Sequence, residues 1–224
     1  MLIELKIYYP IVYLGILAAG ATVQLIPLQK ELVVQDVTAR MQAAGSKLLI
    51  TNAAMRDMAN EASKLLGGIP VYDPSEDEKA FGEATLEFHG FNITSHDEAE
   101  STVGFFNRTS GSTGGKMKTV ITTHSHFIAA LEATLHTVPQ NTDPDRDVWL
   151  STLSLGFFIN AKLNIGLNIL LGIPVILMNE PFSASTIDII GRHRISFLFI
   201  PPPVAISIAG MPSCLLYTSD AADE

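Results

Sequence analysis

Residues 105–118 have the sequence FFNRTSGSTGGKMK, and this stretch decides both the local fold and the chemistry expected of the chain. Four hydroxyl side chains and three glycines fill the seven positions from Thr109 to Gly115. Glycines tolerate positive φ, so they let a backbone bend sharply and aim its N–H groups at an anion. Hydroxyls add donors for phosphate oxygens, and a lysine adds a mobile positive charge. The composition suits a polyphosphate, although a Ser/Gly/Thr run is also typical of a flexible surface loop.

The flanking residues predict a hairpin. The common nucleotide loop G-x-x-x-x-G-K-[S/T] needs a helix directly after it, and its spacing fails here. Ser110 stands where that pattern needs its first glycine, and Met117 follows Lys116 where Ser or Thr is required. Residues 102–107 and 119–123 are rich in β-branched or aromatic side chains, so we expect the loop to join two strands.

The order of strand, loop, lysine, second strand and a Thr-His step before a helix resembles the adenylate-forming enzymes. These are the AMP-dependent synthetases, which include acyl-CoA and coumarate-CoA ligases. Their phosphate loop has the form (Tyr/Phe)-Thr-Ser-Gly-(Ser/Thr)-Thr-Gly-x-Pro-Lys-Gly. Six residues match it position by position: Thr109, Ser110, Gly111, Ser112, Thr113 and Gly114. The resemblance implies that these six bind the phosphates of ATP.

The lysine of that loop has two candidates. Counting forward from Gly114 places the family's lysine at Met117, and Lys116 then stands at its usual proline. Counting backward from Thr123 and His124 places the lysine at Lys118 instead. One inserted residue explains both counts, so Lys118 is the predicted phosphate lysine and Lys116 the alternative. The resemblance implies that His124 orients the loop.

The resemblance covers roughly residues 8–210 and also suggests an acyl pocket. The family usually has an aromatic-His pair there, which aligns with Phe157 and Phe158. These rings are therefore candidates for the pocket wall, and ordinary core packing explains them equally well. The missing imidazole removes a polar group from that wall.

Composition narrows the class of protein. The 224 residues are 47% hydrophobic with a mean hydropathy of +0.29, so the chain can bury a large core. The formal net charge is −9 and basic residues form no cluster, which argues against a nucleic-acid partner. A single cysteine excludes an internal disulfide, and the scattered histidines predict no metal site.

Residues 7–24 lack charge, but Pro10 and Gln24 interrupt them, so we expect a buried helix and strand and no membrane span. The expected location is cytoplasmic, with a peroxisomal location possible.

The hydrophobic periodicity predicts an α/β fold with alternating strands and helices around parallel sheets. We expect two sheet-and-helix subdomains, which the resemblance makes part of the large N-terminal domain of an adenylate-forming enzyme. Residues 1–72 would form the first part, residues 73–100 an acidic connection, and residues 101–213 the phosphate loop and the second part. A long helix is predicted over 153–171. Ser185 and Asp188 predict a capping box for a helix from Thr186 to His193.

The two ends of the chain depart from the family pattern. Residues 214–224 lose the resemblance abruptly and look like the translation of a sequencing-library adaptor, so we expect a non-native tail; a divergent natural tail is the alternative. Residues 1–213 would then be a partial AMP-binding domain, because the family has elements before residue 1 and after residue 213.

The resemblance implies a two-step reaction. A carboxylic acid attacks the α-phosphate of Mg²⁺-bound ATP to give an acyl-adenylate, and the thiol of coenzyme A then displaces AMP. The groups that hold adenine, ribose and magnesium, and the family's catalytic lysine, lie downstream, so no catalytic residue or metal ligand is assigned and the chain alone is expected to be inactive. The alternatives are an adenylation-domain fragment of a peptide-synthetase-like or reductase protein that loads a carrier protein, and a nucleotide-binding pseudoenzyme.

Overall fold

The computed structural model describes residues 1–2, 8–28, 31–77, 90–109, 118–178 and 182–210. The helices are α1 (Tyr8–Ala18), α2 (Val34–Ala44), α3 (Arg56–Leu65), α4 (His96–Ser101), α5 (His124–Leu135), α6 (Phe158–Ala161), α7 (Asn168–Leu171), α8 (Ala184–His193) and α9 (Pro202–Ala209). The strands are β1 (Val23–Gln24), β2 (Leu49–Ile50), β3 (Val71–Tyr72), β4 (Val103–Arg108), β5 (Thr119–Thr123), β6 (Trp149–Ser151), β7 (Val175–Leu177) and β8 (Phe197–Leu198). The predicted α/β class is confirmed.

Parallel pairing dominates the sheets. The first sheet has the order β1-β4-β5, the second pairs β2 with β3, and the third has the order β7-β6-β8. Strands β4 and β5 are antiparallel, and the other pairs of named strands are parallel. Residues 1–2 connect the first two sheets, because Leu2 N–H donates to the carbonyl of Ile50 (2.8 Å) and Ile26 N–H donates to that of Met1 (3.1 Å).

The first sheet takes strands from both sides of the predicted connection 73–100. Strand β1 precedes that segment and β4 follows it, with Val23 opposite Phe105 and Gln24 opposite Phe106. The division of the chain at 73–100 stays a prediction, and residues 78–89 and 211–224 lie outside the described residues.

Two apolar clusters form the core. The larger lies around Phe105, whose ring centroid is 5.5 Å from that of Tyr13, 4.8 Å from Phe127 and 5.3 Å from Phe158. The smaller cluster buries one face of α2, including Val37 and Met41, against α3 and β2. Helix α2 ends as its sequence predicts, at Gly45 with φ 61°, a left-handed conformation that glycine adopts at little cost.

The long helix predicted over 153–171 begins later, at Phe158. It runs through α6, a π-helical stretch Lys162–Leu167, and α7. Residues 152–157 instead make a tight turn, in which Phe157 N–H donates to the carbonyl of Ser154 (3.1 Å). The backbone of Gly156 approaches Pro27 so closely that a Cβ there would lie 2.5 Å from the Pro27 Cα. This contact fixes the turn against the end of β1.

The capping box predicted for Ser185 and Asp188 is wrong. Helix α8 begins at Ala184, and Ser183 is its N-cap, with Thr186 as the reciprocal partner. Ser183 N–H donates to the hydroxyl of Thr186 (2.9 Å), and Thr186 is fully buried. Two serines lie two residues apart here, and the extended backbone of Ser183 (φ −151°, ψ −177°) decides which one caps.

In the described residues, no helix combines the length and the apolar character that crossing a membrane requires.

Two glycine substitutions test this arrangement. Gly156→Ala should destabilise the chain by about 1–3 kcal/mol, because the added methyl meets the backbone of residues 26 and 27. Gly191→Ala is the matched control in α8, where a Cβ meets nothing within 4 Å, and should stabilise by about 0.5–1 kcal/mol. Urea unfolding of both variants measures the difference, and a neutral Gly156→Ala would contradict the close approach.

Candidate functional site

The phosphate-loop candidate begins at Thr109 and ends at Lys118, and hydrogen bonds between these two residues form what we call the neck of the loop. Thr109 N–H donates to the carbonyl of Lys118 (3.0 Å), and Lys118 N–H donates to the hydroxyl oxygen of Thr109 (3.1 Å). Strands β4 and β5 pair up to Arg108 and Thr119 directly behind this neck. The predicted hairpin is therefore confirmed, and residues 109 and 118 stand side by side where the loop leaves the sheet.

Of the predicted phosphate-binding residues, the structure brings together Thr109 and Lys118. The other five, Ser110, Gly111, Ser112, Thr113 and Gly114, lie outside the described residues, as does Lys116. Both neck side chains are exposed. The Thr109 oxygen accepts a hydrogen bond from Lys118 N–H, and a hydroxyl that accepts can also donate. Lys118 adds a positive charge. A donor and a cation at the neck fit a phosphate group.

The neck lies at the carboxyl edge of the parallel strands. Strands β1 and β4 run in the same direction, as do β2 and β3, and Leu2 forms a parallel bridge with Thr51 of the second sheet. Ligands of open α/β sheets bind outside the carboxyl ends of their strands. Thr109, directly after β4, is at that edge.

Polar side chains that belong to none of the motifs in the sequence follow β2 and β3 at the same edge. Asn52 is buried, and neither atom of its amide makes a hydrogen bond among the described residues. Asp73 accepts from Arg56 (2.7 Å) and from the amide (2.9 Å) and hydroxyl (2.6 Å) of Ser75. Burial opposes ionisation of Asp73, but these hydrogen bonds outweigh it and hold its pKa below the usual value. A polar residue directly after a strand was the available signal.

His124 lies at the other end of the hairpin. It starts α5, donates its N–H to the carbonyl of Thr102 (3.1 Å), and stacks its ring on Gly104, where a Cβ would be 3.4 Å from the imidazole. Thr123 caps the helix, with His126 N–H donating to its hydroxyl (3.2 Å). Burial lowers the pKa of His124. His124 therefore lies at the end of the hairpin away from the loop, and it would orient the loop only through strands β4 and β5.

The two acyl-pocket candidates have different surroundings. The ring of Phe158 packs in the core, 5.3 Å from that of Phe105 and 5.8 Å from that of Phe127. Phe157 is half-buried and precedes α6 as its N-cap residue. A role for either ring in an acyl pocket stays a prediction.

A row of buried amides fixes the helix that carries Phe158. Asn160 donates to the hydroxyl of Ser151 (3.0 Å) and to the carbonyl of Leu153 (2.5 Å), and Asn164 donates to Asn160. Asn168, one turn further, donates to the carbonyl of Ile173 (3.4 Å). Each amide lies four residues after the previous one, so all three share one face of the helix. These bonds tie the start of the helix to the end of β6.

A cavity of about 680 Å³ lies elsewhere, between α1, α2 and the strands β1 and β2. None of Thr109, Lys118, Phe157 and Phe158 lines it. Among the residues described, no three or more His, Cys, Asp or Glu side chains gather into a metal-binding group.

The parallel α/β architecture and the hairpin loop at its carboxyl edge are those of the N-terminal domain of adenylate-forming enzymes. A family model for the AMP-binding enzymes matches residues 3–221, and the chain belongs to that family. The matched range extends into residues 214–221, and the non-native origin of the tail stays a prediction.

Solved structures agree with this fold. The o-succinylbenzoate CoA synthetase MenE from Bacillus subtilis, in complex with its acyl-adenylate intermediate, has a TM-score of 0.75 at 17% identity and matches 95% of this chain and 51% of its own. The N-terminal domain of FACL13 from Mycobacterium tuberculosis has a TM-score of 0.77 at 16% identity, with 95% and 51% covered. An acyl-CoA synthetase from Brucella canis has a TM-score of 0.73 at 22% identity, with 94% and 38% covered. The chain thus spans about half or less of the length of these structures. No curated protein sequence gives a significant match.

The lowered pKa of the half-buried His124 predicts a pH dependence of stability. Its pKa is lower in the folded chain than in the unfolded chain, so the unfolded chain binds the proton first as the pH falls. Stability from this group is intact above the unfolded value of about 6.5 and is lost as the pH falls through and below it. His124→Gln should reduce the loss of unfolding free energy between about pH 7 and pH 5 in urea titrations. His193→Gln, at an exposed position, should lose as much unfolding free energy over this pH range as the wild type. If the unfolding free energy of His124→Gln fell with pH as steeply as that of the wild type, His124 would not be the group responsible.

Proposed function

We propose that the chain supplies the ATP-phosphate-binding part of a ligase that activates a carboxylic acid and transfers the acyl group to coenzyme A. The observation that carries the proposal is the loop Thr109–Gly114 on a hairpin closed by Thr109 and Lys118, at the carboxyl edge of the sheet. Family membership supports the reaction class.

The reaction that we propose for the whole protein has two displacements. A carboxylate oxygen bonds to the α-phosphorus of ATP, the bond from that phosphorus to the bridging oxygen breaks, and pyrophosphate leaves. The sulfur of coenzyme A then bonds to the acyl carbon of the adenylate, and AMP leaves with the electron pair. The thiol proton is released to the surroundings.

The roles of this chain's residues follow from charge and position. Thr109, Ser110, Gly111, Ser112, Thr113, Gly114 and Lys118 would hold the β- and γ-phosphates and neutralise part of their charge. Magnesium would arrive with the triphosphate and add to that neutralisation, and we assign no ligand for it in this chain. Phe157 and Phe158 would supply apolar surface for the acid. The proposed location is cytoplasmic.

The first test compares the two lysines. Lys118→Met should weaken the binding of Mg²⁺-bound ATP by about 1.5–3 kcal/mol, roughly 10- to 150-fold, because one charge-assisted contact is lost. Lys116→Met should weaken it less, and Lys64→Met, at an exposed position of α3, should leave it unchanged. Isothermal titration of the full chain measures all three, and an equal or larger loss at Lys116 would reject the inserted-residue alignment.

The second test concerns activity. The chain alone should bind ATP without catalysing carboxylate-dependent exchange between ATP and labelled pyrophosphate. Holding the acid, the metal and the ribose in line supplies much of the reduction in barrier, and the family's groups for these tasks have no counterpart in the sequence. The exchange assay should cover aliphatic, aryl and amino acids. Exchange above background with any of them would show that this chain contains catalytic groups that we have not assigned.

A further inference from the structure

Two arginines near the loop neck have buried donors without partners. Arg40 lies in α2, and Arg108 is the last residue of β4, directly before Thr109. The Nε of Arg40 and the Nε and Nη1 of Arg108 are buried and make no hydrogen bond in the part of the chain that the structure describes. Buried donors are nearly always paired in proteins, so three on two neighbouring cations call for an acceptor.

The sheet geometry places both side chains on one face. Gln24 and Phe106 are partners in the β1–β4 pairing, and both line the same cavity as Met41 and Ala44 of α2. Residues two apart in a strand point to the same face, so Arg108 shares the α2 face with Phe106. On the helix, the Arg40 carbonyl accepts from the Gln24 side chain (2.9 Å), which places this turn of α2 against β1. Because the Cα–Cβ bonds of a helix tilt towards its N-terminus, we infer that the Arg40 side chain extends towards Arg108, whose charge acts on it.

The electrostatics agree with this placement. Burial lowers the pKa of Arg40, and the positive charge of Arg108 lowers it further. Asp36, one turn earlier on α2, acts in the opposite direction but forms no salt bridge with Arg40. Two like charges with unpaired donors are costly, and a bound anion would relieve both the repulsion and the missing hydrogen bonds.

We propose that Arg40 and Arg108 form a binding site for a phosphate-type oxyanion, on the α2 face of the sheet and separate from the phosphate loop. Two cations from different elements match the two negative charges and the several oxygens of a phosphate better than they match a planar carboxylate, which one guanidinium can hold alone. Arg108 stands where the loop pattern of the family has Tyr or Phe, so this site is an addition to that pattern. The inference does not depend on the proposed ligase function.

The test is phosphate binding to the full chain. Equilibrium dialysis with labelled inorganic phosphate, at an ionic strength held constant with chloride, should show saturable binding by the wild type. Arg40→Gln and Arg108→Gln should each weaken it roughly tenfold or more, the effect of losing a charge-assisted hydrogen bond. Arg192→Gln, at an exposed position of α8, should bind phosphate like the wild type.

The thermal midpoint is the second readout, measured with and without phosphate. Phosphate should raise the midpoint of the wild type and of Arg192→Gln, and should raise that of the two arginine variants much less. Arg108→Lys should retain part of the effect if either glutamine variant fails to fold. The arginine variants could instead have higher midpoints than the wild type, by the same amount with and without phosphate. That result would show that the two arginines only repel each other, and it would overturn the site. Binding that survives both substitutions, or no saturable binding by the wild type, would overturn it as well.

Competition then identifies the source of the phosphate group. In Lys118→Met, displacement of labelled phosphate by AMP would support a nucleotide phosphate as the occupant. Displacement by inorganic phosphate alone would support free phosphate. Loss of ATP binding in this variant with phosphate binding intact would separate the two sites, and failure of ATP to bind any variant would refute the proposed function while leaving the arginine site in place.

Discussion

The contacts of the Phe105 ring position strand β4, which leads into the predicted phosphate loop. This fully buried ring stacks on Tyr13 of α1, packs against Phe127 of α5, and meets the edge of Phe158 in α6. Its backbone pairs with Val23 of β1, so one residue joins four elements from widely separated parts of the chain. The loop neck is four residues further along the same strand. Any change in this packing would therefore move Thr109 together with β4.

Two groups of buried polar side chains lie near the ends of strands. One is at the carboxyl edge, with Asn52 after β2 and Asp73 after β3. The other is at the start of the long helix, where Asn160 joins Ser151 and Leu153. Burial of such groups costs free energy unless they are paired. Asn160 is satisfied within the chain, whereas the Asn52 amide and the Nε and Nη1 of Arg108 have no hydrogen-bond partner among the described residues. The unsatisfied groups at the carboxyl edge lie where open α/β sheets bind ligands, which makes this edge a candidate site.

Local patterns predicted much of this fold, and contacts between distant residues account for what they missed. The hairpin and the end of α2 at Gly45 depend on strand propensity and on one glycine, both of which are visible in a few residues. The start of the long helix is different, because the apolar pattern continues back to Leu153 while Gly156 must lie against Pro27. For the site, the motif identified the loop, and the structure brings its two ends together at Thr109 and Lys118. The proximity of Arg40 and Arg108 cannot be seen in any short stretch of sequence, because strand pairing and helix packing bring the two residues together.

A phosphate loop on a hairpin has a different source of positive potential from one that starts a helix. At a helix N-terminus, free N–H groups and the helix dipole attract the anion. Sheets have only small net dipoles, and the Thr109 amide is already bonded to the Lys118 carbonyl. The chain also carries a formal net charge of −9, which repels a polyphosphate at long range. The attraction at this edge must therefore come from nearby cations. Lys118 is the cation that the structure places at the neck, so in the proposed phosphate site side-chain charge takes the place of the helix dipole.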